Sequence, residues 1–187
     1  MRRILAAAAL VSAVFVLAGC SGTTSVAPTP VKSTDLTSSD GGFDQHAVVG
    51  VVLLPEGATP AGGGASLPDR FRTSLTEAGF RPDVRVADAD DPAGSQRTAV
   101  RDLVRTGAKA LLVQADDPSA LTGVLQTAHD AGVVVVGLDG AVPASGTGGD
   151  GVSSDYSITG TDSDADLVEQ SVDAVTSLQR GEKPATD

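Results

Sequence analysis

The chain has 187 residues, with 24 acidic side chains against 13 basic ones and a formal net charge of −11. So acidic a protein is repelled by nucleic acid and by anionic membrane surfaces, and neither is an expected partner. A single cysteine excludes an internal disulfide.

The chain opens with Met1-Arg2-Arg3, continues in an apolar run from Ile4 to Ala18, and reaches Gly19-Cys20-Ser21. Basic residues before a short apolar core that ends in small residues make a secretory signal. The run is shorter than the roughly 20 residues that cross a bilayer as a helix. Leu17-Ala18-Gly19-Cys20 resembles a lipobox, at which bacterial lipoproteins are diacylated on the cysteine and cut before it. The alternative is an ordinary secretory signal whose cysteine is incidental. On the lipobox reading, residues 1–19 are the signal peptide and Cys20 is the lipidated residue. Two acyl chains then hold the protein on the extracytoplasmic face of the cell membrane. Loss of Arg2 and Arg3 takes the net charge from −11 to −13. Residues 20–45, rich in Ser, Thr, Pro and Gly, read as a flexible tether. Folded structure is expected to begin near His46.

Ala47 to Leu54 is a continuous apolar run, the pattern of a strand buried on both faces. A helix follows from Leu67 to Ala78, stopped by Gly79. Asp83-Val84-Arg85-Val86-Ala87 alternates, as a half-exposed edge strand does. Pro92 starts a second helix, with Ala99, Val100, Leu103 and Val104 on one face and Gly107 at its end. Lys109 to Val113 is a further buried strand. Asp117-Pro118 caps and starts a third helix, striped by Leu121, Val124, Leu125 and Ala128 and closed by Gly132. Val133 to Gly137 is another apolar strand, and a Gly- and Ser-rich loop runs from Ala141 to Asp155. Tyr156 to Gly160 alternates again, and a last helix runs from about Ser163 to Gln179. Alternating strands and helices with right-handed crossovers give an α/β, doubly wound parallel sheet. Placing the alternating strands at the edges gives the flavodoxin-like order 2-1-3-4-5.

In such a sheet ligands bind at the carboxyl ends of the strands, which singles out Asp139. Its other reading is a residue that holds the following turn. Gly62-Gly63-Gly64 reads either as an anion cradle or as a flexible loop; no Gly-Lys-Ser/Thr follows, so it is not a P-loop. Asp162, Asp164, Asp166 and Asp173 have part of a calcium-loop spacing, but Leu167 stands where the turn needs glycine. Acidic residues at a helix start explain them without a metal. His46 and His129 have no carboxylate at metal-ligand or triad spacing, and no G-x-S-x-G occurs. The residues contain no catalytic constellation, so neither an enzyme nor a cofactor is expected.

Three phrases carry a resemblance: Asp90-Asp91-Pro92-Ala93-Gly94-Ser95-Gln96, Leu103 to Leu112 with its Gly107-Ala108-Lys109-Ala110 core, and Ala131-Gly132-Val133 to Leu138-Asp139. In this order, with Ala115-Asp116-Asp117 between them, they resemble type I periplasmic binding proteins, the ribose- and xylose-binding group above all. The resemblance implies a protein that traps a sugar between two lobes and delivers it to an ABC permease. It covers the first lobe, residues 46–160, and implies that residues 161–187 are the crossover and first helix of an absent second lobe. It implies ligand positions at Asp139, at Asp116, and at Asp162 within Thr161-Asp162-Ser163. Two departures stand out: Gly140 replaces a common arginine, and the loop from Pro55 to Ser66 has no aromatic residue to stack on a sugar. The expected function is a lipid-anchored solute-binding protein of a sugar-type ABC importer, in truncated form. The alternatives are a stand-alone surface interaction module and a remnant without function.

Overall fold

A computed structural model describes residues 42–55, 65–140, 142 and 154–184. The signal peptide, Cys20, most of the tether, Gly62-Gly63-Gly64 and most of the 141–155 loop lie outside the described residues. Among those described, no helix is long and apolar enough to cross a membrane.

Five strands and four helices follow one another: β1 (Val48–Leu53), α1 (Leu67–Glu77), β2 (Arg81–Val86), α2 (Pro92–Arg105), β3 (Ala110–Val113), α3 (Pro118–Asp130), β4 (Val134–Leu138), β5 (Tyr156–Ile158) and α4 (Asp164–Gln179). All neighbours pair in parallel, in the order β2-β1-β3-β4-β5. This is the expected flavodoxin-like order. Val49↔Ala110↔Val134 and Val52↔Val113↔Gly137 fix the register of the three central strands.

Successive side chains of a strand point to opposite faces, so each apolar run feeds two cores. Val49, Val51 and Leu53 of β1 join Phe71 and Leu75 of α1 on one face. Val52 joins Val100 and Leu103 of α2 and Leu121 and Leu125 of α3 on the other. Each helix is started by a side-chain cap: Ser66, Asp91, Asp117 and Ser163 all accept a backbone N–H of the first turn. Pro92 and Pro118 take first-turn positions where no N–H is needed.

Three features of these elements bear on the sequence reading. The body begins ahead of His46: Phe43 packs on the core, its ring 6.2 Å from that of Phe80, and its N–H donates to the Gln179 carbonyl (3.3 Å). An aromatic side chain close to an open end of the core has more to gain from burial than from solvent. β2 begins at Arg81 rather than Asp83, and Val86 is 43% exposed. An edge strand is paired on one side only, so alternation does not guarantee a covered apolar side.

The third feature is α4, which the resemblance assigns to a second lobe. Its stripe of Leu167, Val168, Val175 and Leu178 is buried in the same core as Val136, Leu138, Tyr156 and Ile158 of β4 and β5, beside α1. Amphipathic periodicity fixes which face is apolar but not which sheet receives it. Here the first sheet has that face open, and α4 closes it.

Candidate functional site

The carboxyl ends of β1, β3, β4 and the segment after β5 meet at one rim of the sheet. Asp139 follows β4 there with φ 56°, in the left-handed region that few residues except Gly, Asn and Asp adopt. Its carboxylate is fixed from two sides. Gln114, which follows β3, donates from Nε2 to Asp139 Oδ2 (2.8 Å), and its Oε1 accepts the Leu54 N–H from the end of β1 (3.2 Å). Thr161, beyond β5, places its hydroxyl 3.4 Å from Asp139 Oδ1. The two ends of the Gln114 amide thus read two strands at once and fix which way the amide points.

Gln96 of α2 supports this arrangement from below. It is fully buried; its Nε2 donates to the Gln114 carbonyl (2.7 Å) and its Oε1 accepts the Asp116 N–H (3.1 Å). The turn after β3 is therefore clamped by a side chain whose own polar atoms are satisfied. One residue on, the Ser119 hydroxyl and N–H hold the Asp117 carboxyl below the usual carboxylate range, which keeps the α3 cap ionised.

Of the three ligand positions expected from sequence, Asp139 sits at the centre of this network. Asp116 is exposed on the turn after β3, tied in through its backbone N–H alone, and Asp162 is exposed beside Thr161. The three share a rim, but no hydrogen bond among the described residues joins the Asp116 or Asp162 carboxylate to Asp139. Gln114 is absent from the sequence-based set. The strand-end rule that finds Asp139 also finds Gln114, one residue past Val113. A cleft of about 910 Å³ between β5 and α4 opens beside the rim at Thr159 and Gly160, with Asp173 and Arg180 further along it.

His129 has a carboxylate partner that its local sequence spacing does not show: its Nε2 lies 3.4 Å from Asp155 Oδ2. Asp155 is distant in sequence, and it arrives beneath the end of α3 only because β5 pairs with β4. This pair lies at the amino ends of the strands, the opposite rim from Asp139. Among the described residues no group of three His, Cys, Asp or Glu side chains is placed to hold a metal, the Asp162–Asp166 cluster included.

A carboxylate has about four acceptor positions. Two of those on Asp139 face Gln114 and Thr161, and among the described residues no other donor takes the rest of this exposed carboxylate. Residues 66–171 match the model of a family described as a periplasmic binding protein domain. The chain belongs to this family. Over 72 residues this periplasmic binding protein domain chain is 39% identical to the multiple sugar-binding periplasmic receptor ChvE of Rhizobium radiobacter, covering 38% of this chain and 20% of that one. The chain thus spans about a fifth of the length of the curated relative it matches. Similar solved structures include an ABC transporter solute-binding protein of Actinobacillus succinogenes with bound D-allose, at 18% identity and TM-score 0.46 over 59% of this chain and 37% of that one. Another is from Mycobacterium smegmatis with bound glycerol, at 24% identity and TM-score 0.44 over 54% and 32%.

Proposed function

We propose that this periplasmic binding protein domain is a lipid-anchored, extracytoplasmic binding module for a small polyhydroxylated solute of the sugar class, serving an ABC permease. The observation that carries the reading is Asp139: an exposed carboxylate at a central strand end, in a left-handed backbone conformation, aimed by Gln114 and Thr161. Backbone strain kept at a position that two neighbours over-determine is a mark of a functional site. Family membership supports the solute class and an extracytoplasmic location. The lipobox-like Leu17-Ala18-Gly19-Cys20 supports the anchor at Cys20. Asp116 and Asp162 belong to the outer ring of the same rim, and the reading assigns no enzymatic step and no cofactor to any of them.

One observation favours a second reading, a stand-alone interaction module: α4 completes the core of a single sheet. This rim presents one wall of a ligand site, and one wall buries less of a ligand than a closed cleft does. Calorimetry with a panel of monosaccharides separates the two. The transport reading expects binding by the unaltered chain and a loss of at least about tenfold in affinity for Asp139→Asn, the cost of a charge-assisted hydrogen bond. No heat from any sugar, with the chain folded, favours the interaction module.

A further inference from the structure

Asp155 holds the amino end of β5 in place. Its N–H donates to the Val135 carbonyl (2.7 Å), and its own carboxylate accepts the Val135 N–H (2.7 Å). That side chain is only 8% exposed. One N–H does not satisfy a buried carboxylate, and an uncompensated buried charge is costly. Among the described residues the remaining compensation comes from His129, whose Nε2 is 3.4 Å away on a side chain 22% exposed. The nitrogen makes no hydrogen bond of acceptable geometry, so the contact is one of charge with charge. It is strongest while the imidazole is protonated, when Nε2 carries both its N–H and a share of the positive charge.

Among the described residues the other charge acting on His129 is Asp130, its neighbour in α3; of the elements packed against α3, β4 carries no charged side chain and α2 carries Arg97, Arg101, Asp102 and Arg105. Tyr156 follows Asp155, and burial and the Asp155 charge push its phenol above the usual range, so it stays neutral around physiological pH. His129 is left as the group at this contact that titrates near neutrality.

We propose that His129 and Asp155 form a pH-sensitive latch: the protonated imidazole pins the entry of β5 against β4 and α3, and its deprotonation leaves the buried carboxylate with the Val135 N–H but no counter-charge among the described residues and loosens the strand. The neighbouring Asp155 carboxylate raises the imidazole above its ordinary pKa, burial opposing and Asp130 adding. A group whose folded-state pKa is raised contributes stability that is complete below its unfolded pKa, about 6.5, and lost as pH rises through the folded value. The latch is therefore closed on the acid side and opens on the alkaline side. β5 leads on through Thr159 and Gly160 to Thr161, so the latch controls an element that also reaches the Asp139 rim. The inference does not depend on what that rim binds.

The test uses the whole chain in detergent, compared with His129→Gln and Asp155→Asn. Thermal stability and hydrogen exchange of peptides covering 133–140 and 154–161, with peptides from α1 and α4 as references, are followed from about pH 5.5 to about pH 9. After correction for the intrinsic pH dependence of exchange, protection of the 154–161 peptide should fall about fivefold or more across this range in the unaltered chain. It should stay level in both variants. Parallel profiles in all three proteins overturn the latch, as does a loss of protection shared equally with α1 and α4. If neither variant folds, titration of the His129 imidazole by NMR decides: a midpoint at or below that of free imidazole overturns the proposal, and one above it supports it.

Discussion

Gln96 shows how a single side chain positions the rim. Both of its polar atoms bond to the turn after β3, from a site with no exposure. Gln96→Leu keeps the volume but leaves the Gln114 carbonyl and the Asp116 N–H without partners. Such losses cost about 1–3 kcal/mol, so urea unfolding of this variant should show a lower midpoint by that measure. Asp139 was visible in the sequence because a polar residue ends a central apolar run. Gln114 met the same criterion, but its importance lies in bonds to Leu54 and Asp139 from two other strands, and no local pattern reports such bonds. The His129–Asp155 contact was hidden for the same reason: a pairing of β5 with β4 brings the two together, not their spacing in the chain.

At the scale of the element, the central strands were legible because β-branched runs without alternation have one comfortable place, between two helical layers. Gly50 illustrates what such packing demands. A Cβ there would come within 2.6 Å of Leu111 Cδ2 and 2.8 Å of Leu103 Cδ1, so α2 rests directly on the β1 backbone. Gly50→Ala should destabilise the protein by about 1–3 kcal/mol, the usual cost of overpacking, measured by chemical denaturation. The docking of α4 was not legible, since its stripe is equally suited to any apolar sheet. Val175 is fully buried within that stripe. Val175→Asp places an unpaired charge in the core, and the expected result is loss of the cooperative thermal transition.

The whole molecule, as far as it is described, is one sheet covered on both faces, with the chain entering at Phe43 beside the end of α4. The entry lies near the amino ends of the strands, where Phe43, Lys109, Gly132 and Gly181 surround one cavity of about 400 Å³. Asp139 lies at the other rim. With its last apolar stripe buried on its own sheet, the chain has no need of a second copy to cover α4. Light scattering on the chain from Ser21 onward should therefore give a monomer; a concentration-independent dimer would require another account of the α1–α4 face.

The central claim is that the rim built by Leu54, Gln114, Asp139 and Thr161 receives a small polar solute. Amide NMR spectra recorded while monosaccharides are added test it residue by residue. The account predicts shifts that saturate and are confined to Leu54, Gln114, Asp139, Gly140 and Thr161. Shifts centred instead on Phe43, Gly132 and Gly181, at the opposite end of the sheet, would contradict it.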